Sequence, residues 1–324
     1  MKAAKMKQKD QNTLVRMENL SAAEYILKNG EAPRRVLGSI WLRIRAGQTW
    51  GIYAPSQYEA GLLLEIMANV RPYEGGRCVL NERGMMRQKR VILPHVFYIG
   101  STEMLYDAMN VLEYLMFATA KQTTKPASRQ KRLFEWLIEC GLGDISLTEV
   151  RWLDMQEKAI VILMAAACSQ SGIVIFNMPQ LEFSEDLRRA LAAVASRMRA
   201  EGKVLILSTR DENLIQDACT HAAFLAKGRI IYQGTVDYLR THFDRYTVRL
   251  EADEASQTKL REALRNCAVT AKADGIYISG RLGQTPQEIF REILDTGVMP
   301  TDMKVHTKSA RNALEELAQK HDLS

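Results

Sequence analysis

Two short apolar segments, separated by a segment with helical spacing, constrain the fold more than any other feature of this chain. Residues 172–176 and 204–208 are almost continuously apolar, and residues 184–201 between them have the pattern of a helix. Strands that are apolar along their whole length are buried on both faces, as in a parallel sheet that helices cover. This region is therefore predicted to be α/β.

The alternation of strands and helices extends over most of the chain. Helices are predicted at about 59–69, 111–140 with a polar loop at 122–128, 154–168 and 212–219, and further strands within 14–52 and at 77–80 and 96–99, with a hairpin turn at Lys227-Gly228. After residue 244 the pattern changes to strands at 246–250 and 275–279 and helices at 255–267, 285–295 and 309–321. We therefore expect a flexible N-terminus (1–13), an α/β domain (14–243) and a small α+β extension (244–324).

Composition excludes several classes of protein. Hydrophobic residues make up 47% and charged residues 25%, as in ordinary globular chains and unlike disordered or collagen-like ones. A net charge of +6 is too small to indicate nucleic-acid binding by itself. The five cysteines have no metal-ligand spacing, and no apolar run is long enough to cross a bilayer. The sequence thus predicts a soluble chain with buried thiols and no metal site.

Three landmarks suggest a family. They are the strand–turn–helix pattern over 51–69 after Arg45-Ala-Gly-Gln48, Leu153 followed by a buried strand that ends at Asn177-Met-Pro179, and the segment 202–235. Residues 14–240 resemble the nucleotide-binding domain of ATP-binding-cassette (ABC) proteins, and 244–324 resemble the extension of ATPase subunits in ABC-2-type exporters. The resemblance implies an ABC-type P-loop ATPase fold, in which a parallel-sheet core carries an antiparallel β subdomain and a helical subdomain, plus a small C-terminal α+β domain.

The P-loop residues that the resemblance implies are missing. The pattern G-x-x-x-x-G-K-[ST] surrounds phosphate with backbone amides and supplies a lysine and a hydroxyl group. The family's three glycines in this loop, its lysine and its hydroxyl residue correspond here to Ala54, Gln57, Glu59, Ala60 and Gly61. Glu59 would place a carboxylate where phosphate sits, and two like charges about 4 Å apart repel by roughly 4 kcal/mol at an effective dielectric of about 20. We therefore expect no phosphate cradle.

The other catalytic positions differ as well. The two Walker B acids correspond to Asn177 and Met178, an amide that is a poor Mg²⁺ ligand and a thioether that accepts no proton. The switch histidine corresponds to Arg210, the Mg²⁺-sensing glutamine to Ser101 and the D-loop aspartate to Ser184. The signature Leu-Ser-Gly-Gly-Gln corresponds to Leu153, Asp154, Met155, Gln156 and Glu157. Since each change removes a separate part of the phosphoryl-transfer apparatus, the sequence predicts a vestigial nucleotide site without catalytic residues, cofactor or metal.

Three further features have two interpretations each. Tyr25 lies where the family stacks an aromatic residue on adenine, and a half-buried strand tyrosine is the alternative. Arg210 could replace the lost lysine or pair with the neighbouring Asp211. The apolar residues Met104, Leu105, Tyr106 and Met109 could receive a membrane subunit or pack in the core.

The resemblance leads to one preferred function and two rivals. The preferred function is a catalytically inactive ABC subunit at the cytoplasmic face of the membrane, in an export complex with a membrane-spanning subunit and a second ABC ATPase subunit, either identical or different. The first rival is a conventional ATPase that binds ATP and Mg²⁺ through atypical contacts. The second is an interaction module that has left transport. Nucleic acid is not among the expected partners.

Overall fold

In a computed structural model of the protein, the described residues are 13–23, 35–81, 83–84, 95–241, 246–264, 267–281, 284–306 and 309–320. They divide after Val236 into two compact units. No helix within these residues is both long enough and apolar enough to cross a membrane.

The first unit alternates strands and helices along the chain. Its strands are β1 (Thr13–Ala23), β2 (Arg35–Arg45), β3 (Thr49–Tyr53), β4 (Gly75–Leu80), β5 (Arg83–Gly84), β6 (Val96–Ile99), β7 (Ile173–Phe176), β8 (Val204–Thr209), β9 (His221–Ala226) and β10 (Arg229–Thr235). Its helices are α1 (Gln57–Met67), α2 (Val111–Ala118), α3 (Pro126–Glu139), α4 (Met155–Cys168), α5 (Glu185–Ala200) and α6 (Glu212–Ala218), with a 3₁₀ turn at Val150–Trp152.

The strands form two sheets. The larger sheet has the order β10-β9-β3-β8-β7-β6, and all neighbours in it run parallel except β10, which is antiparallel to β9. The smaller sheet, β2-β1-β4-β5, is antiparallel. One hydrophobic core joins the inner face of the small sheet, helix α1 and one face of the large sheet. The predicted α/β class, with a parallel core and an antiparallel β subdomain, is therefore confirmed.

The second unit is a small α+β fold. After α7 (Val236–Thr241) it contains β11 (Thr247–Glu251), α8 (Glu254–Ala263), β12 (Ala268–Lys272), β13 (Gly275–Ser279), α9 (Pro286–Asp295), β14 (Asp302–His306) and α10 (Ala310–Lys320). Its antiparallel sheet has the order β12-β13-β11-β14, which with two crossover helices is the split βαβ arrangement of ferredoxin-like domains.

Two strands of this unit were absent from the sequence prediction. Strands β12 and β14 lie at the two edges of the sheet and are mostly exposed, so they lack the apolar pattern that marks a strand. The helix predicted over 255–267 ends at Ala263, and the residues from Ala268 onward belong to β12. The central strands β11 and β13 carry the buried alternation and were predicted.

Candidate functional site

The connection from β3 to α1 occupies the place of a P-loop, and it is a short capped turn. Helix α1 begins at Gln57, two residues before the predicted start at 59, because Ser56 caps it. The Glu59 amide donates to Ser56 Oγ and the Ala60 amide to Ser56 O, both at 3.3 Å. These two backbone amides, which a P-loop would turn towards phosphate, are thus used inside the helix.

The Glu59 side chain ties this helix to the β9–β10 hairpin. Its Oε2 accepts a hydrogen bond from the Gly228 amide at 3.1 Å. The turn has φ of 49° at Lys227 and 71° at Gly228, the left-handed pair of a tight hairpin turn. A Cβ at Gly228 would lie 2.3 Å from the Val36 carbonyl oxygen, so only glycine fits there. The carboxylate of Glu59 therefore has a structural partner within the fold.

The next two positions fill space without offering a ligand. Ala60, at the lysine position, is only 2% exposed and lies in the core. Gly61, at the hydroxyl position, lies beside Asn177, since a Cβ built on it would be 3.7 Å from Asn177 Nδ2. The structure thus brings together the two positions that flank Mg²⁺ in the resemblance, but neither carries a hydroxyl or a carboxylate.

Asn177 is held at the end of β7 by two neighbouring strands. Its Nδ2 donates to Tyr98 Oη on β6 at 3.0 Å, and its Oδ1 accepts from Ser208 Oγ on β8 at 2.9 Å. Burial raises the pKa of Tyr98, and the hydrogen bond from Asn177 opposes that shift only in part. Both ends of the Asn177 amide therefore have protein partners. Met178, at the position of the catalytic glutamate, is 3% exposed, with its thioether in the protein interior.

The switch and glutamine positions are at the surface. Ser101 follows the end of β6 and is exposed, and Arg210 follows β8 and is exposed. The interpretation in which Arg210 pairs with Asp211 is wrong. Asp211 lies 3.8 Å from Nη1 of Arg188 and caps α6 with its other oxygen, and Arg210 has no ion pair within the described residues.

The signature positions form the start of α4, where the sequence builds a capping box. Asp154 Oδ1 accepts from the amides of Gln156 and Glu157 at 2.8 Å each. Glu157 Oε2 accepts in return from the Asp154 amide at 2.9 Å. Leu153 is buried and Met155 is 52% exposed. The helix N-terminus, which would attract an anion, is thus closed by two carboxylates of its own chain.

The same end of α4 contacts the D-loop position and the residue that follows the glutamine position. Gln156 Oε1 accepts from the Ser184 amide at 3.1 Å, and Ser184 Oγ in turn caps α5. Thr102 Oγ1 lies 3.2 Å from Met155 Sδ. The structure therefore places Gly61 beside Asn177, between α1 and β7, and Ser184 beside Gln156 at the start of α4. Tyr25 lies outside the described residues, so its predicted role stays a prediction.

The apolar residues before α2 are only partly exposed. Met104 and Tyr106 are 40% and 53% exposed, whereas Leu105 is buried at 8% and Met109 is half-buried. Phe117, which the sequence prediction omitted, is 52% exposed and contacts Tyr106 edge to face at 5.2 Å between ring centroids. We define the apolar surface as Met104, Tyr106 and Phe117, and the inclusion of Leu105 in it was wrong.

Potential metal and thiol chemistry is limited in the described part of the chain. No three of its His, Cys, Asp or Glu side chains are grouped as a metal site. Burial raises the pKa of Cys78 to about 12 and those of Cys140 and Cys168 to about 11, so these thiols stay protonated at neutral pH.

Several partners were missed by sequence reasoning. Tyr98 and Ser208 hold Asn177 across three strands, and no local pattern announces such contacts. Two other features did have a signal. Ser56 and Asp154 each stand three residues before a glutamate, which is the pattern of a helix N-cap.

Sequence comparison adds relatives at low identity. The chain matches no family model. It is 22% identical over 291 residues to the uncharacterized ABC transporter ATP-binding protein all4389 of Nostoc sp., a match that covers 87% of this chain and 83% of that protein. It is 24% identical over 214 residues to the arabinose import ATP-binding protein AraG of Chromohalobacter salexigens, covering 64% of this chain. That match spans only 41% of the relative's length.

Structural comparison identifies the fold. The cassette cbiO1 from Clostridium perfringens, part of the ABC transporter complex cbiONQ, superposes with a TM-score of 0.58 at 15% identity, over 78% of this chain and 96% of that one. The chain has the fold of an ABC ATPase cassette, as the sequence predicted. The proteins that it resembles in sequence are ATP-binding subunits of ABC transporters.

Proposed function

We propose that this protein is an ABC-type subunit of a membrane transport complex whose own nucleotide site is inactive. The observation that carries the proposal is the capped turn at Ser56, since the Glu59 and Ala60 amides are used within the helix and no lysine follows. The closed N-terminus of α4 adds to it, because Asp154 occupies the amides that would otherwise face a nucleotide phosphate. The role would then be structural or regulatory.

The proposed transport complex indicates which partners this chain would have. Relatives are named for import or for ABC transport, and cbiO1 is part of a larger transporter complex. By analogy, this chain would pair with a membrane-spanning subunit and with a second cassette, at the cytoplasmic face of the membrane. Export as the direction rests on the resemblance of residues 244–324 to the extension of ABC-2-type subunits.

Calorimetry with ATP and Mg²⁺ on the full chain tests the inactive site. We expect no saturable heat up to millimolar nucleotide and no rise in the unfolding temperature, because ligand binding to the native state would stabilise it. ADP without Mg²⁺ should likewise give no saturable heat and no rise in the unfolding temperature. Saturable micromolar binding would contradict the proposal.

The second candidate is an ATP-binding subunit with atypical contacts. It is favoured by the names of the relatives and by the position of Gly61 next to Asn177. If calorimetry detects ATP, Asn177→Ala tests whether the nucleotide binds at the vestigial site. An atypical site at β7 would lose affinity in this variant, whereas a nucleotide bound elsewhere would keep it.

A separate experiment tests the partner surface. The apolar surface of Met104, Tyr106 and Phe117 would contact a membrane subunit, and Tyr106→Glu should reduce co-purification with a membrane-spanning protein from detergent extracts. Val70, 58% exposed and outside this surface, provides the control Val70→Glu. If both variants co-purify with the membrane-spanning protein as well as wild type does, this surface is not the site of contact.

A further inference from the structure

A pocket of about 370 Å³ lies at the edge of the large sheet opposite to the P-loop position. It is lined chiefly by Trp41, Arg43, Arg45, Gln48, Trp50 and His221. Trp50 lies near the start of β3 and His221 begins β9, so the pocket is at the amino ends of the parallel strands. The P-loop position follows the carboxyl end of β3, which is the opposite edge of the same sheet. The pocket is therefore a distinct feature.

Three of the lining residues, Gln48, Trp50 and His221, belong to one hydrogen-bonded group. The Trp50 and His221 rings stack with centroids 4.9 Å apart and planes inclined by 20°. Gln48 Oε1 accepts from Trp50 Nε1 at 3.0 Å and from the Arg45 amide at 2.8 Å. Gln48 Nε2 then faces His221 Nε2 at 3.1 Å, and Thr220 Oγ1 faces His221 Nδ1 at 2.9 Å. Both imidazole nitrogens thus have partners.

This network assigns one protonation state to the ring. Because the Gln48 oxygen already accepts two hydrogen bonds, its amide nitrogen must donate to His221 Nε2. Nε2 is therefore the acceptor and Nδ1 carries the proton towards Thr220. The stacked imidazole and indole therefore have all their polar atoms satisfied and the imidazole is neutral, which leaves the other lining residues to supply any charge.

Strand β2 supplies the pocket with positive charge and an exposed indole. Trp41, Arg43 and Arg45 alternate along β2, the edge strand of the small sheet, and all three are exposed. Arg43 is already paired, since its Nη2 lies 4.0 Å from Glu18 Oε1, so Arg45 rather than Arg43 is the candidate partner of an anion. The Arg45 guanidinium has no ion pair or hydrogen bond within the described part of the chain, and no carboxylate is among the described residues that line the pocket. An unpaired guanidinium beside aromatic surface is suited to a planar anion, because it binds carboxylates in two-pronged fashion while indole packs on a ring.

We propose that this pocket binds a small planar aromatic anion, with its carboxylate or equivalent group on Arg45 and its ring against Trp41. The volume is within the range of small-molecule sites. Binding here is independent of the proposed transport role and of ATP, since none of the residues at the P-loop or signature positions lines the pocket.

Calorimetry with three matched probes tests the proposal on the full chain. The probes are 2-naphthoate, the neutral 2-naphthalenemethanol and the cationic 2-naphthylmethylammonium. We expect saturable binding of 2-naphthoate, about tenfold weaker binding of the alcohol and none of the cation, since a charge-assisted hydrogen bond is lost or reversed.

Variants locate the probe. Arg45→Gln should weaken naphthoate binding about tenfold and leave the alcohol unchanged, and Trp41→Ala should weaken both. Trp152→Ala is the control, because Trp152 is 75% exposed and does not line the pocket. The proposal is overturned if naphthoate does not bind up to millimolar concentration, or if Arg45→Gln leaves the preference for naphthoate over the alcohol unchanged. Thermal unfolding of each variant confirms that it is folded.

Discussion

At the scale of single residues, His221 links the fold to pH. Burial, and then the charge of Arg45, lower the pKa of His221 below its ordinary value of 6.5. The hydrogen bonds with Gln48 and Thr220 agree with this direction, since a second proton on the ring would face the Gln48 amide. In the unfolded chain, His221 binds a proton at a higher pH than in the folded protein.

This difference predicts how stability depends on pH. The contribution of His221 is fully present above about pH 6.5 and is lost as the pH falls through the folded pKa, because the unfolded chain then binds more protons. Urea unfolding should show a decline in the free energy of unfolding below about pH 6.5, and His221→Phe should make that decline shallower. Equal slopes for the variant and wild type would refute the assignment.

Gly228 has a backbone conformation and a close backbone contact that only glycine allows. Its φ of 71° and the distance of only 2.3 Å that would separate an added Cβ from the Val36 carbonyl oxygen impose two separate costs. Gly228→Ala should therefore destabilise the protein by more than the 1–2 kcal/mol or so of the left-handed backbone alone.

Gly202→Ala is the matched control for that variant. Gly202 has a similar φ of 74°, but a Cβ there meets nothing within 4 Å. Chemical denaturation should show the larger loss at Gly228, where the Glu59 carboxylate also accepts from the amide. A loss at Gly202 equal to that at Gly228 would mean that the close approach to Val36 costs nothing.

At the scale of elements, helix N-caps determine how the chain is built at the P-loop and signature positions. Ser56 begins α1 and Asp154 begins α4, and each places an oxygen on amides that an ABC ATPase would direct at phosphate. At the signature, Asp154 both replaces a motif residue and builds an ordinary helix start, whereas Ser56 caps α1 from between the altered P-loop positions. The same pattern recurs at Asn110 and Thr285, which begin α2 and α9 and have no counterpart in the nucleotide motifs.

A substitution at Asp154 tests the capping role. Asp154→Ala should lower the free energy of unfolding by about 1 kcal/mol, because two amides lose their acceptor. Asp154→Asn retains an oxygen and should cost less than half as much. Denaturant titrations of both variants make the comparison, and a neutral Asp154→Ala would show that the cap contributes nothing to stability.

At the scale of the whole molecule, each of the two units has its own hydrophobic core. In the second unit, Leu250 is 1% exposed in a cluster with residues of β13 and α9. Leu250→Ala should remove about 2–5 kcal/mol of stability there, by lost burial and a cavity. Hydrogen exchange should quicken in residues 246–320 more than in 13–236, whereas uniform acceleration would contradict separate cores.

Much of the fold could be predicted from local pattern. Strands β7 and β8 are continuously apolar and α5 between them is amphipathic, so the sequence indicated a buried parallel sheet without any knowledge of contacts. Strand β14 was missed because it is mostly exposed and pairs with β11, the first strand of this unit. Strand β12 pairs with the next strand, β13, and was missed because its exposed residues lack an apolar pattern.

The sequence by itself determined the class of fold, the resemblance to ABC cassettes and the absence of the P-loop lysine and the Walker B acids. These depend on residue identity and on spacing along the chain, which folding does not change. Only the tertiary structure decided that Asn177 is held by Tyr98 and Ser208, that Asp211 pairs with Arg188, and that Arg45 faces an aromatic pocket. The physical reason is that a partner's identity is set by which strands and helices become neighbours, and residues distant in sequence carry no local mark of that proximity.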